Sequence, residues 1–162
     1  MRVAIGADWV GFELKSALIK CLRELGHDVV DMGADSAEAN DYPDYAERVA
    51  LAVAAGAAER GVLICGTGIG MSIAANKVHG VRAALCHDAF TTARSREHND
   101  ANVLALGAWV VSVPHAKELV ELWLATPYQA GRHVPRLEKI RRLEEAELAP
   151  PLEAGPAVIG GA

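Results

Sequence analysis

Cys65 closes the apolar run GVLICG, and the small-residue turn Gly66-Thr67-Gly68-Ile69-Gly70 follows it directly. A turn of this kind, feeding a helix, points backbone N–H groups at one spot and suits a bound anion or a developing oxyanion. The same glycines could equally serve only to make a tight strand-to-helix connection. Cys65 tilts the reading toward chemistry. At the edge of a helix N-terminus negative charge on its sulfur is favoured, and a thiolate there can act as a base beside an oxyanion pocket. Cys21 and Cys86 fall inside a helix and a strand and read as small buried apolar residues.

Two nucleotide-binding readings fail on this loop. No GK[ST] follows, so it is not a phosphate-binding Walker loop, and Met71 stands where the dinucleotide fingerprint needs its third glycine. Elsewhere, His98 ends a helical stretch just before Asn99 and Asp100, where a histidine can serve as general acid or base near neutral pH. His27, His79 and His115 lie near turns without such a setting, and His87 stays unassigned. Arg132, Arg136, Arg141 and Arg142 cluster late in the chain. They could hold an anion or form a solvated helix face.

The elements that must position these residues alternate almost from end to end. RVAIGAD, HDVVDMG, GVLICG, VRAALCHD and ANVLALGAWVV read as strands. Helices are expected from about 11 to 25, where Phe12, Leu14, Leu18 and Leu22 give an apolar side and Gly26 a stop. Further helices are expected over 43–55 with Pro43 at its start, after 67, over 89–98, 114–125 and 134–148. Continuous apolar strands joined by helices mean a parallel sheet covered on both faces. Right-handed crossovers then give an α/β, doubly wound, Rossmann-like sheet of about five strands, with ligands at the carboxyl ends of the strands. Asp8-Trp9, Cys65 to Gly70, His87-Asp88 and the helix end Glu97 to Asp100 are the groups from which that fold is expected to assemble one rim.

A chain of 162 residues holds one ordinary domain, here expected over 1–149, with a Pro-, Gly- and Ala-rich tail over 150–162. Three cysteines without a repeating spacing argue against a disulfide framework, and no CxxC or HExxH pattern suggests zinc. A net charge of −5 argues against nucleic acid as a partner. No apolar run approaches the ~20 residues of a membrane helix, and the N-terminus lacks the apolar core of a signal peptide, so a cytoplasmic protein is expected.

The stretches ICGTGIGMSIAANK, SREHNDANVLALG and GRHVPR, with DYPDYA in support, give the chain a resemblance to the type B ribose-5-phosphate isomerase family, which also contains galactose-6-phosphate isomerase subunits. It extends to about Glu147. The resemblance implies a homodimer, sometimes paired into a tetramer, with active sites at the subunit interface and a sugar phosphate of pentose phosphate metabolism as substrate. It implies no metal and no cofactor. Cys65 would remove the proton from sugar carbon 2, while Gly66, Thr67, Gly68 and Gly70 would hold the enediolate oxygen. His98 would assist opening of the furanose ring and Asn99 would bind a hydroxyl. Asp8 would contact the ring oxygen or hydroxyls, with Tyr42 nearby. Arg132, His133 and Arg136 would reach the phosphate from the neighbouring subunit.

Moving hydrogen between C1 and C2 needs a base, a stabilised enediolate and ring opening, and the sequence offers a candidate for each. Two positions depart from the family pattern. Trp9 stands where members usually carry histidine, and Trp109 where they often carry arginine; by resemblance both expected side chains help hold the phosphate. Indole cannot neutralise a phosphate, although its face suits C–H-rich sugar surfaces. Either the two tryptophans are packing residues and Arg132 with Arg136 suffice, or the same chemistry acts on a different or unphosphorylated sugar. A non-catalytic sugar-binding descendant is a third reading, and Cys65, Thr67 and His98 together speak against it.

Overall fold

A computed structural model describes residues 1–38 and 40–146. The expected tail over 150–162 and the last residues of the final helix lie outside the described residues. The chain separates into two units, Met1–Ala130 and a second beginning at Gly131.

In the first unit the order is β1 (Arg2–Ala7), α1 (Phe12–Glu24), β2 (Asp28–Asp31), α2 (Tyr42–Ala54), β3 (Arg60–Cys65), α3 (Ile69–Ala75), β4 (Ala83–Leu85), α4 (Ala89–Glu97), β5 (Val103–Gly107) and α5 (Val113–Ala125). The five strands form one sheet in the order β2-β1-β3-β5-β4, and every pairing is parallel. The doubly wound α/β sheet expected from the sequence is therefore present, with β3 at its centre.

Strand residues alternate between two cores, as a pleat requires. Val3, Ile5, Val62, Ile64, Leu104 and Leu106 pack with Leu14, Leu18 and Leu22 of α1 and Leu119 and Trp123 of α5. On the other face Ala4, Leu63, Cys65, Val103 and Ala105 pack with Val49 and Val53 of α2 and Met71 and Ala75 of α3. Burying a Leu, Ile or Val side chain of this kind stabilises the fold by about 1.5–3 kcal/mol. The helix ends follow local chemistry. Asp88 accepts a bond from the Thr91 N–H (2.8 Å) to cap α4, Ser112 caps α5, and Gly26 leaves α1 with φ of 81°.

Three strands are shorter than the apolar pattern suggests, and β2 keeps only Asp28–Asp31 of the expected 27–33. β4 keeps only Ala83–Leu85 of the expected 81–88, because its ladder with β5 ends there. β5 stops at Gly107, opposite Cys65, and the N–H groups of Val110 and Val111 then both turn back to the Gly107 carbonyl. The second unit holds a 3-10 turn, Gly131–His133, and α6, Val134–Ala146. No helix of the described residues is long and apolar enough to cross a membrane.

Candidate active site

The carboxyl ends of β1, β3 and β5 lie side by side and carry Asp8-Trp9, the Cys65 loop and Trp109. Cys65 points into the core on the α2 and α3 face, with 5% of its surface accessible. The Gly68 N–H donates to its sulfur across 3.1 Å. Gly68 has φ of 78°, and an added Cβ would fall 2.6 Å from Leu85 Cδ1 and 2.9 Å from the Leu106 carbonyl carbon. Only glycine turns the chain there without strain, so the turn that aims an N–H at the sulfur depends on it. The Ile69 N–H bonds to the Thr67 hydroxyl at 3.3 Å. Two donors of the turn are thus engaged inside the loop itself.

Two aromatic rings brace the loop. The Ala108 N–H bonds to the Cys65 carbonyl (2.8 Å) and the Trp109 N–H to the Gly66 carbonyl (2.9 Å), extending the β3–β5 pairing past the sheet. The indole consequently lies on Gly66, where an added Cβ would come within 2.7 Å of its Cε3 and Cζ3. Its other side is open, with 73% of Trp109 exposed. Tyr42, at the start of α2, lies against Gly70 in the same manner, with 2.6 Å from a Cβ built there to Cε2. Trp9 is also exposed, and its backbone N–H donates to Asn40 Oδ1 at 3.1 Å.

Asp8 is buried, and its Oδ1 accepts the Gly11 N–H at 2.9 Å. Burial pushes its carboxyl above the ordinary value, and the backbone donors of Gly11 and Val10 oppose that shift. His87 closes the far side of the rim. Its Nε2 accepts the Gly107 N–H at 2.9 Å, and burial holds the ring below its ordinary value, so the neutral acceptor form is favoured.

His98 and Asn99 do not join this rim, contrary to the expectation of a single assembled edge. α4 runs back from the carboxyl end of β4, and its end lies beside the start of β5. Arg82 and Asn102, which bond to this corner, precede β4 and β5, and the Glu97 carbonyl accepts the Gln129 N–H after α5. Gly61 and Val103 pair at that amino edge and Cys65 and Gly107 at the carboxyl edge. The two edges are about 13 Å apart along the strands. The physical reason is simple: a crossover helix in a parallel sheet must return the chain to the opposite edge.

In the second unit Arg132 and Arg136 are exposed and flank His133. Arg132 Nε lies 3.4 Å from His133 Nε2 and Arg136 Nη1 lies 3.5 Å from Nδ1. A neutral imidazole accepts at one nitrogen only, so one of these contacts is not a hydrogen bond. Among the described residues no three His, Cys, Asp or Glu side chains are grouped to hold a metal ion.

Several residues that shape the site were not legible as such. Lys15 is 1% exposed, and its Nζ donates to Asp31 Oδ1 (2.6 Å) and the Ala34 carbonyl (2.7 Å), tying α1 to the end of β2. A lysine on an amphipathic helix gives no sign of burial in sequence. Arg82, Arg96 and Asp100 build the corner below His98; only the four-residue spacing of Arg96 and Asp100 hints at their pairing.

A model of the Ribose/Galactose Isomerase family matches residues 3–140. Ribose-5-phosphate isomerase B of Escherichia coli (strain K12) is 49% identical over 144 residues, covering 89% of this chain and 97% of the relative. The D-erythrulose-4-phosphate isomerase of Pectobacterium atrosepticum is 43% identical, over 91% of this chain and 97% of its own length. The structure of Clostridium thermocellum ribose-5-phosphate isomerase B superposes with a TM-score of 0.90 at 46% identity, covering 91% and 99% of the two chains. With the fold, the cysteine loop and these matches in agreement over nearly the whole described length, the chain belongs to the ribose/galactose isomerase family and is an aldose–ketose isomerase.

Proposed function

We propose that the protein interconverts ribose 5-phosphate and ribulose 5-phosphate, with Cys65 as the base. As thiolate, its sulfur takes the proton from C2 of the open-chain aldose. The electron pair forms the C1–C2 double bond of an enediolate with its charge on O1; a proton passes from O2 to O1, and the thiol returns its proton to C1 as the C2 carbonyl forms, which regenerates the thiolate. Thr67 and the turn from Gly66 to Gly70 hold the enediolate oxygen. Asp8 and Tyr42 contact hydroxyl groups. The observation that carries this reading is Cys65 itself, buried at the end of the central strand with an N–H 3.1 Å from its sulfur.

Ring opening by His98 and a hydroxyl contact from Asn99 require a second copy of the chain, since in one chain both lie at the opposite edge from Cys65. A homodimer supplies them as His98 of the partner subunit and the partner subunit's Asn99. Exposed apolar side chains on the elements around the carboxyl edge support such an interface: Ile69 and Ile73 of α3, Phe90, Trp109 and Val110. Arg132 and Arg136, with the buried His133 ring between them, then take the phosphate of the neighbouring site as charged donors suited to it.

A second reading keeps the chemistry and changes the sugar. Its support is the open indole of Trp109 above the cysteine loop, with Trp9 exposed on the adjacent strand end. One relative is an isomerase of a four-carbon sugar phosphate, so close sequences differ in the sugar named. The test is kcat/KM for ribose 5-phosphate beside ribose and allose. A preference for the phosphate of roughly several hundredfold, the worth of two charge-assisted contacts, supports the first reading. Little preference moves the assignment to another sugar.

A further inference from the structure

The corner carrying His98 and Asn99 is held by two arginines that converge on one carboxylate. Arg96 of α4 is 4% exposed, and its Nη1 donates to Asp100 Oδ1 (2.8 Å) and to the Ala101 carbonyl (2.6 Å). Its guanidinium also lies over the fully buried Trp123 ring, 5.8 Å from the centroid. Arg82 approaches from the position just before β4: its Nε donates to the Asn99 carbonyl (3.0 Å) and the Asp100 carbonyl (3.1 Å), and its Nη2 to that same Asp100 carbonyl (2.9 Å) and to Oδ2 (3.0 Å). Asn102 fixes Arg82 in turn, its side chain accepting the Arg82 backbone N–H at 2.7 Å and donating to the Gly80 carbonyl at 2.7 Å. Asp100 is left with φ of 44°, a left-handed conformation.

This is an expensive way to turn a chain. A single glycine ends many helices, and a partly buried ion cluster of this kind adds less stability than apolar packing of the same volume. Arg60 adds to the crowding, since burial and the neighbouring Arg96 both press its guanidinium below the ordinary value. What two guanidinium groups on one carboxylate give is directional restraint, and Arg82 applies it to the peptide of Asn99 itself.

We propose that Arg82 and Arg96, acting through Asp100, are positioning residues that set His98 and Asn99 for the reaction. The proposal rests on the reading of His98 as the ring-opening group. Its consequence is specific, because only one substrate has a ring to open. Ribose 5-phosphate closes through O4 to a furanose, whereas ribulose 5-phosphate carries its phosphate on the oxygen that closure would need and stays open-chain. Deuterium wash-in at C1 of ribulose 5-phosphate therefore reads proton transfer by Cys65 without ring opening, and at saturating substrate a weakened Asn99 contact falls on KM and leaves the wash-in rate to Cys65.

The variants are Asp100→Asn, whose side chain tolerates the left-handed backbone, and Arg82→Lys, which keeps the charge and loses the forked donors. Each should lower kcat for ribose 5-phosphate by about tenfold or more, the worth of one charge-assisted hydrogen bond, while wash-in stays within about twofold. A structural role alone would lower both together, along with the urea midpoint, and would overturn the proposal. His98→Asn is the reference. If it lacks the split, the reading of His98 fails; if it has the split and both corner variants lack it, the positioning role fails.

Discussion

The carboxyl edge around Cys65 and the amino-edge corner around His98 are built on different physical principles. The first is an extension of the sheet. Backbone bonds continue from β5 onto Cys65 and Gly66, glycines admit Trp109 and Tyr42 to contact, and Gly68 turns the chain so that its own N–H meets the sulfur. The second is held by charge. Asp100 stands between Arg82 and Arg96, and side chains do the work that backbone ladders do at the other edge. Close packing without side-chain freedom suits a base that must meet a C–H bond at fixed distance. A charged corner suits groups that must orient toward a molecule arriving from outside the chain.

The largest effect should come from the carboxyl edge. Cys65→Ser is expected to lower kcat by about 10²–10⁴-fold, on ribose 5-phosphate and in the wash-in assay alike, with KM little changed. Rates and affinities measured side by side check this, and comparable turnover in the variant would remove Cys65 from its role. A middle-sized effect probes how that edge is packed. Gly68→Ala places a Cβ against Leu85 and the Leu106 backbone at a positive φ, and should cost about 1–2 kcal/mol in urea unfolding from the backbone alone. Unchanged stability would mean the loop relaxes freely and does not hold the sulfur by packing.

The smallest effect concerns His87, which accepts the Gly107 N–H beneath the rim. Burial lowers its folded pKa below the unfolded value, so the unfolded chain takes up the proton first. The stability it contributes is complete above about pH 6.5 and is lost as pH falls from there through the folded value. Urea midpoints at about pH 7.5 and about pH 5.5 should differ more for the wild type than for His87→Ala. Equal differences would separate His87 from the pH response of this edge.

The same contrast explains what could be read in the sequence. Strand–helix alternation and the GVLICG run place Cys65 at the end of the third strand, and the structure agrees, because period and apolarity are local properties. The corner was not legible in this way. His98 and Asn99 were expected to join the rim, yet the return direction of α4 puts them at the other edge. Arg82 lies far from Asp100 in sequence, and Lys15 is buried on a helix whose pattern reads as amphipathic. Ion pairs between distant residues leave no periodic trace, so they escape a reading built on periodicity.

The central claim is that a complete site joins the carboxyl edge of one chain to the amino-edge corner of another. The most direct test co-expresses Cys65→Ser and His98→Asn chains with different tags and purifies the hybrid dimer. Each parent homodimer should be nearly inactive. In the hybrid one site carries both substitutions and the other carries neither, so roughly half of the wild-type activity should return. A hybrid as inactive as its parents would contradict the shared site and return His98 to the chain that holds Cys65.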